Sequence, residues 1–276
     1  MNLRTPIICL TLLTVFNLAN AQDDNLNYGH RYQRPQRNAP QQEAPNESPK
    51  GFVAVNTGFA TVTGNWGFSL SPQYDGTYAL SGSLQSISAG IPINGSNFGI
   101  ALMIGLYDNP FDLNSFVQNV ADADPNLNRG YGTLQGGDYA TINFMAGLFY
   151  TYPVKRFSFD LRVMGGYINC GLPEIAYGAE QDAIPFNIQD TWDIASSSAG
   201  GFAYDVGVGA RYSFRRSMCL MLNFDWLGAS LPFKTLETHQ NVDNNGNVTY
   251  DYPNLSGTVP VSLFNISLGL GFQFGR

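Results

Sequence analysis

The chain has 276 residues, of which 13% are charged and 13% aromatic, with 30 glycines and a formal net charge of -7. A soluble globular domain carries about 25% charged residues, and nucleic-acid binding selects for clustered basic side chains, so neither class fits this composition. After residue 21 no stretch approaches the ~18 consecutive apolar residues of a spanning helix, which excludes a helical membrane protein.

The first 21 residues place Arg4 ahead of the apolar run Ile7 to Leu18 and then Ala19, Asn20 and Ala21. A basic region, an apolar region and an A-x-A site predict a secretory signal peptide over 1–21, cleaved after Ala21. Cys9 lies in the middle of the apolar run, whereas a lipoprotein cysteine would stand at its end. Residues 22–50 are rich in Pro, Gln, Asn and charge, with almost nothing to bury. Such a segment cannot offset the entropy of ordering it and is expected to be a disordered periplasmic linker.

From Gly51 onward the pattern changes to strict alternation, and residues 51–276 are expected to form one domain of eight strands. Successive side chains of a strand point to opposite faces. The segments are 52–63, 79–93, 97–107, 139–152, 157–169, 202–214, 218–230 and a last one ending at Phe274. In that last segment Phe264, Ile266, Leu268, Leu270, Phe272 and Phe274 share one face, while Asn265, Ser267, Gly269, Gly271 and Gln273 share the other. Segment 202–214 sets Phe202, Tyr204, Val206, Val208, Ala210, Tyr212 and Phe214 against Asp205, Gly207, Gly209 and Arg211. Such dyads, one flank apolar and the other polar, suit a wall with lipid outside and a polar lumen inside.

The connections sort by length. Short ones follow the second, fourth and sixth segments, at Asn94-Gly95, near Val154-Lys155 and at Arg215-Arg216-Ser217. Long ones fall at about 64–78, 108–138, 170–199 and 231–260. Membrane barrels have short periplasmic turns and longer extracellular loops, and a soluble sandwich has no reason for this alternation. A two-residue type I′ turn at Asn94-Gly95 predicts Ile93 opposite Ser96 and Ile91 opposite Phe98. A three-residue turn at 215–217 keeps Phe214 beside Met218. A one-residue slip would turn every side chain over. Within 231–260, the run Val242 to Val248 is read as the tip of a β-ribbon outside the membrane; ten strands result if the ribbon joins the wall. Its Asp243-Asn244-Asn245-Gly246 tip lacks EF-hand spacing, so a turn is expected and no metal site. Cys170 and Cys219 fall at opposite ends of the wall, beyond the ~7 Å a disulfide spans, and are expected to be free thiols.

With its A-x-A signal, eight alternating strands and the closing strand SLFNISLGLGFQF, the chain resembles the small, eight-stranded, porin-like outer-membrane β-barrel proteins of Gram-negative bacteria. The resemblance implies an all-β, up-and-down antiparallel transmembrane barrel in the cell outer membrane, both termini periplasmic. It also implies outer-membrane lipid and the barrel-assembly machinery as partners.

An eight-stranded barrel is just wide enough inside for its own side chains, so the inward charges must satisfy one another. Alternation aims Asp160, Arg162, Asp205, Arg211 and Asp225 inward as a lumen polar network. Asp160 and Arg211 sit at similar height on neighbouring strands and are expected to pair. Asp205 and Asp225 come out diagonal, with Arg162 the nearest relief for both. A self-satisfying plug is the favoured reading of this cluster, ahead of a gate or proton path. Tyr107, Tyr150, Tyr152, Tyr167, Tyr212, Trp226 and Phe274 are expected in two interfacial girdles. The two histidines, His30 in the linker and His239 in the last long loop, have no positioned nucleophile beside them, so no catalytic residue and no cofactor is assigned. The function expected is a non-enzymatic structural or binding barrel with long loops for an unidentified extracellular or periplasmic protein partner. A narrow porin-like channel for small solutes is the second reading and a barrel hydrolase or acyltransferase the third.

Overall fold

A computed structural model of the chain describes residues 50–64, 78–116, 118, 129–135, 138–181, 188–215, 217–242, 247–252 and 254–275. The signal peptide expected at 1–21, the linker but for Lys50 and the ribbon tip at 243–246 lie outside these residues. Eight strands close into a ring: β1 (Gly51–Val62), β2 (Gly82–Pro92), β3 (Phe98–Asn109), β5 (Tyr139–Val154), β6 (Phe157–Leu172), β9 (Ser197–Arg215), β10 (Met218–Val242) and β12 (Asn254–Phe274). Every neighbouring pair is antiparallel. The ring shuts where β12 pairs β1, from Gly51 opposite Phe274 to Val62 opposite Leu263. Closure leaves the ring no free edge, which is how a sheet satisfies its backbone in hydrocarbon.

The alternation predicted from sequence is the alternation of the wall. Phe59, Ile100, Leu148, Val208 and Leu268 point outward, the last 65% exposed, while their chain neighbours point in. Each large apolar side chain left in water would forgo about 1.5–3 kcal/mol of burial, so an outer surface of dozens requires an apolar solvent. Aromatic pairs mark the two ends of this belt. Phe98 meets Tyr150 with centroids 4.9 Å apart and Phe157 meets Tyr212 at 5.0 Å beside the short turns. Tyr204 meets Trp226 edge-on at 5.6 Å toward the other end. From Met218 to Trp226 is nine residues, the length a tilted strand needs to cross.

Three expectations require correction. Tyr107 is not in a girdle: it shares the inward face of β3 and is 3% exposed. Its neighbour Leu106 takes the outward position, so alternation overrides the aromatic preference for the interface. The Asn94-Gly95 connection is a four-residue loop. Both residues have positive φ (51° and 69°) and Ser96 N–H donates to Ile93 C=O, yet the ladder begins with Ile93 N–H donating to Phe98 C=O. Ile91 therefore faces Ile100. The shift is two residues, which preserves both faces; Ser96 holds the loop through its hydroxyl against Phe98, and Asn97 C=O accepts from Thr151 N–H. At the 215–217 turn the expected register holds from Cys219 opposite Ser213, with a bulge that sets Met218 opposite Arg215.

The third correction is at the long-loop end. Only the last long connection was expected to contain strands, but β4 (Arg129–Gln135), β7 (Glu174–Gln181) and β8 (Ile188–Ile194) form a second sheet with β10, in the order β4-β7-β8-β10. β10 is long enough to serve both sheets. Below it pairs β9 as far as Ala229; above, Glu237–Gln240 pairs β8 and His239–Val242 pairs β11 (Val248–Asp251). The ring stays at eight strands, and the ribbon extends it outward without adding to its wall. Beside this sheet an aromatic cluster covers the same end: Tyr78 packs edge-on against Phe116 at 5.2 Å, and Phe111 touches Tyr78, Phe116 and Tyr139. Asp112 fixes the short helical turn that carries Phe116, accepting from Ser115 N–H at 3.1 Å and Ser115 Oγ at 2.6 Å. Those bonds hold its carboxyl below the ordinary range.

Candidate functional site: the barrel lumen

The inward positions stack into levels along the barrel axis. Nearest the short turns, Arg211 of β9 forks onto Asp160 of β6, Nε donating to Oδ2 at 2.6 Å and Nη2 to Oδ1 at 2.8 Å. Ser158 faces Arg211 across the ladder, so the ion pair runs on the diagonal, where an arginine's length suits an aspartate's shortness. Thr151 of β5 donates to Asp160 Oδ1 at 2.6 Å and accepts from Arg211 Nη2 at 3.0 Å. The guanidinium also lies 4.5 Å from the Phe52 ring centroid and donates to Lys50 C=O. With both side chains 1% exposed, this is a dry, bidentate, fully occupied pair, the strong kind.

One level up, Arg162 of β6 crosses over β9 to reach β10. Its Nη2 donates to Asp225 Oδ1 at 2.6 Å and its Nη1 to Asn223 Oδ1 at 2.9 Å. Glycines make the crossing possible. A Cβ on Gly207 would collide with Asp225 Oδ1, and one on Gly209 would stand 2.8 Å from Asn223 Oδ1 and 3.3 Å from Arg162 Nη1. Asn223 passes the network on to Asn56 Oδ1 and Ser267 Oγ, each at 3.3 Å, and Asn56 donates to Ser86 and Ser88. A cavity of about 10 Å³ bounded by Phe52, Arg162, Asn223 and Asp225 lies here, room for roughly one water.

Above that level stand Asp205 of β9, Asn265 of β12, Tyr107 of β3 and Asn143 of β5. Asp205 is fully buried and neither carboxylate oxygen has a hydrogen-bond partner; the same holds for both amide atoms of Asn265 and for Oδ1 of Asn143. Asn143 Nδ2 donates to the Tyr107 hydroxyl at 3.1 Å. Leu227, Leu231, Leu263, Ile168 and Ala203, all buried, seal the level above. Expected from sequence to relieve both aspartates, Arg162 is spent on Asp225 and Asn223. Thr151 and Asn56 are not picked out by the sequence reading, which places Asn265 on the polar face without a role, although each is a polar residue at an inward position. Cys170 and Cys219 are both free and buried.

No family model matches the chain, and no curated protein matches it. Solved structures do. The crystal structure of Neisserial surface protein A is similar at 12% identity and a TM-score of 0.43, covering 81% of this chain and 97% of that one. A major outer membrane protein from Thermus thermophilus is similar at 14% identity and 0.39, covering 82% and 98%. So is the attachment invasion locus protein of Yersinia pestis, solved with a heparin analogue, at 11% identity and 0.36, covering 82% and 100%.

Proposed function

We propose that the protein is a non-enzymatic barrel of the bacterial outer membrane, plugged along its axis, with a binding or structural role for the sheet β4-β7-β8-β10 on the outside. In this reading the short turns and both termini are periplasmic. The observation that carries it is the lumen: its arginines are consumed in buried ion pairs, and apolar side chains close the space above them. A conducting path would need hydrated charges, and a catalytic barrel a reactive group left free at the mouth. Instead Arg211 and Arg162 are anchored by hydrogen bonds to three and two neighbours, and the long-loop end carries an aromatic cluster and a sheet. A partner would meet that sheet; the linker is free to act on the periplasmic side.

Planar-bilayer recording of the refolded protein tests this against the porin-like alternative. A closed lumen leaves the bilayer current at baseline. Discrete, reproducible conductance steps that vanish when protein is omitted would establish a channel and overturn the reading.

A further inference from the structure

Beyond the apolar belt β10 changes partners and leaves a fork. β9 pairs it only as far as Ala229 and β8 takes over at Glu237, so among the described residues Ser230 to Leu236 have β12 on one side and no strand on the other. The fork is narrow at its base, where a Cβ on Gly201 would stand 2.9 Å from Leu231 Cδ2. At its top it is tied, Ala195 N–H donating to Leu236 C=O at 3.0 Å and Thr235 Oγ1 to Ala195 C=O at 2.7 Å. Around that tie opens a cavity of about 600 Å³ whose polar lining is Ser196, Ser197, Lys234, Thr235, Asn254 and Ser256. Small-molecule sites occupy about 300–1,000 Å³.

The face that bears Asn254 and Ser256 continues outward as an aromatic platform. Leu236 faces Asn254 and Gln240 faces Tyr250, one register along the whole ribbon, so Tyr250, Tyr252, Asn254 and Ser256 share a side by alternation. The two tyrosine rings stack with centroids 6.4 Å apart and planes 13° from parallel, and the residues stay 56% and 58% exposed. Tyr252 is two residues, about 7 Å, from Asn254. Rings this open bury little in the fold, and apolar surface grouped beside a cavity marks a contact site.

A sugar presents both complements. Its C–H face lies on an aromatic ring, and the hydroxyls around its rim donate and accept, as do the serine, threonine and asparagine side chains of the lining. Other occupants fit less well. Lys234 lies eight residues beyond Trp226, about 20 Å further out along a tilted strand, whereas the headgroup layer is only about 5–8 Å deep. A polyanion would find Lys234 as the cavity's cation and Asp193, opposite Thr238 on the same face, against it. A protein would seek apolar anchors at the centre of its interface, where the cavity offers Leu236 and Ala195.

We propose that, with this end of the barrel outside the cell as the function proposed above requires, the fork between β8, β9 and β10 binds a neutral oligosaccharide, one sugar in the cavity and the next on the Tyr250–Tyr252 platform.

The test applies the full barrel, refolded in phosphatidylcholine vesicles, to an array of neutral di- to tetrasaccharides printed beside sulfated and uronic-acid chains and extended peptides. A neutral series should bind. Its dissociation constant should rise about tenfold or more, a loss of at least ~1.4 kcal/mol, when Tyr250→Ala and Tyr252→Ala are combined, and severalfold in Lys234→Ala, while Tyr252→Phe, which keeps the ring, should bind as the parent does. A crystal of the unsubstituted protein grown with the best-bound sugar should show it between Ser196 and Lys234, an arm that stands even if the variants fail to fold. No neutral chain bound above empty vesicles, a preference for the acidic chains or the peptides, undiminished binding without the two tyrosines, or no sugar density in the fork overturns the proposal. Any of these, with the planar-bilayer current still at baseline, removes the saccharide and leaves the plugged barrel standing.

Discussion

Replacing Arg211 by Met should destabilise the barrel by about 3–5 kcal/mol, the cost of leaving one member of a buried ion pair uncompensated. The substitution removes the two guanidinium bonds to Asp160 at 2.6 and 2.8 Å and the contact with the Phe52 ring. Asp160, 1% exposed on its side chain, cannot turn to water. Thr151 continues to donate to its Oδ1, which places the loss toward the lower end of the range. Asp160→Asn should also destabilise, since it strands the guanidinium, while the double variant Arg211→Met with Asp160→Asn leaves two neutral groups and recovers part of the loss. The double-mutant cycle should give a coupling of about 2–3 kcal/mol. Urea unfolding in phospholipid vesicles, followed by tryptophan fluorescence, measures all four proteins. A single variant within about 1 kcal/mol of the parent, or strictly additive effects, would mean that the pair is hydrated and the lumen open, contrary to the packing described.

Leu222→Arg places a charge on the lipid face of β10 and should cost about 2–4 kcal/mol near the bilayer midplane, read in the same unfolding assay against the same change at the solvent-exposed Ser256. Gly207→Ala should break the Arg162–Asp225 contact, because its Cβ would overlap Asp225 Oδ1, whereas Gly257→Ala, with nothing within 4 Å, should be neutral; midpoint shifts separate the two. Burial pushes the Glu237 carboxyl up, with Asp251 adding to the rise and His239 opposing it. A raised folded-state value means that the carboxylate opposes folding once ionised, so the ribbon should loosen as pH rises through and above the ordinary glutamate range. Glu237→Gln should flatten that trend, as measured by protease cleavage of the outer sheet across the pH series.

Much of the wall was legible because lipid imposes a period of two on every strand that crosses it. Phe202 to Phe214 and Phe264 to Phe274 could be oriented residue by residue, and the same parity aimed Asp160, Arg162, Asp205, Arg211 and Asp225 inward. Where parity and residue type disagreed, at Tyr107, parity prevailed. The Asn94 turn misled by two residues because its local dihedrals fit a tight hairpin, while the anchor that lengthens the loop, Thr151 bonding Asn97, is over fifty residues away in sequence. β4, β7 and β8 form a separate sheet joined to the ring through β10, where no hydrocarbon demands alternation; EIAYGAEQ has only Ile175 and Tyr177 as large apolar residues, too few to betray a strand. Side-chain reach was the other gap. Alternation aims Arg162 at two aspartates but cannot say that Asn223 takes one arm of its guanidinium and leaves Asp205 alone.

Site-directed spin labels placed singly at residues 202 to 213 of β9, in lipid vesicles, probe the orientation on which the barrel depends. Labels at the even positions should be reached by oxygen dissolved in the bilayer and those at the odd positions by neither oxygen nor a water-soluble nickel reagent, with a period of two throughout. Accessibility to the nickel reagent at the odd positions would reveal a water-filled lumen, and loss of the two-residue period would contradict the membrane-spanning barrel itself.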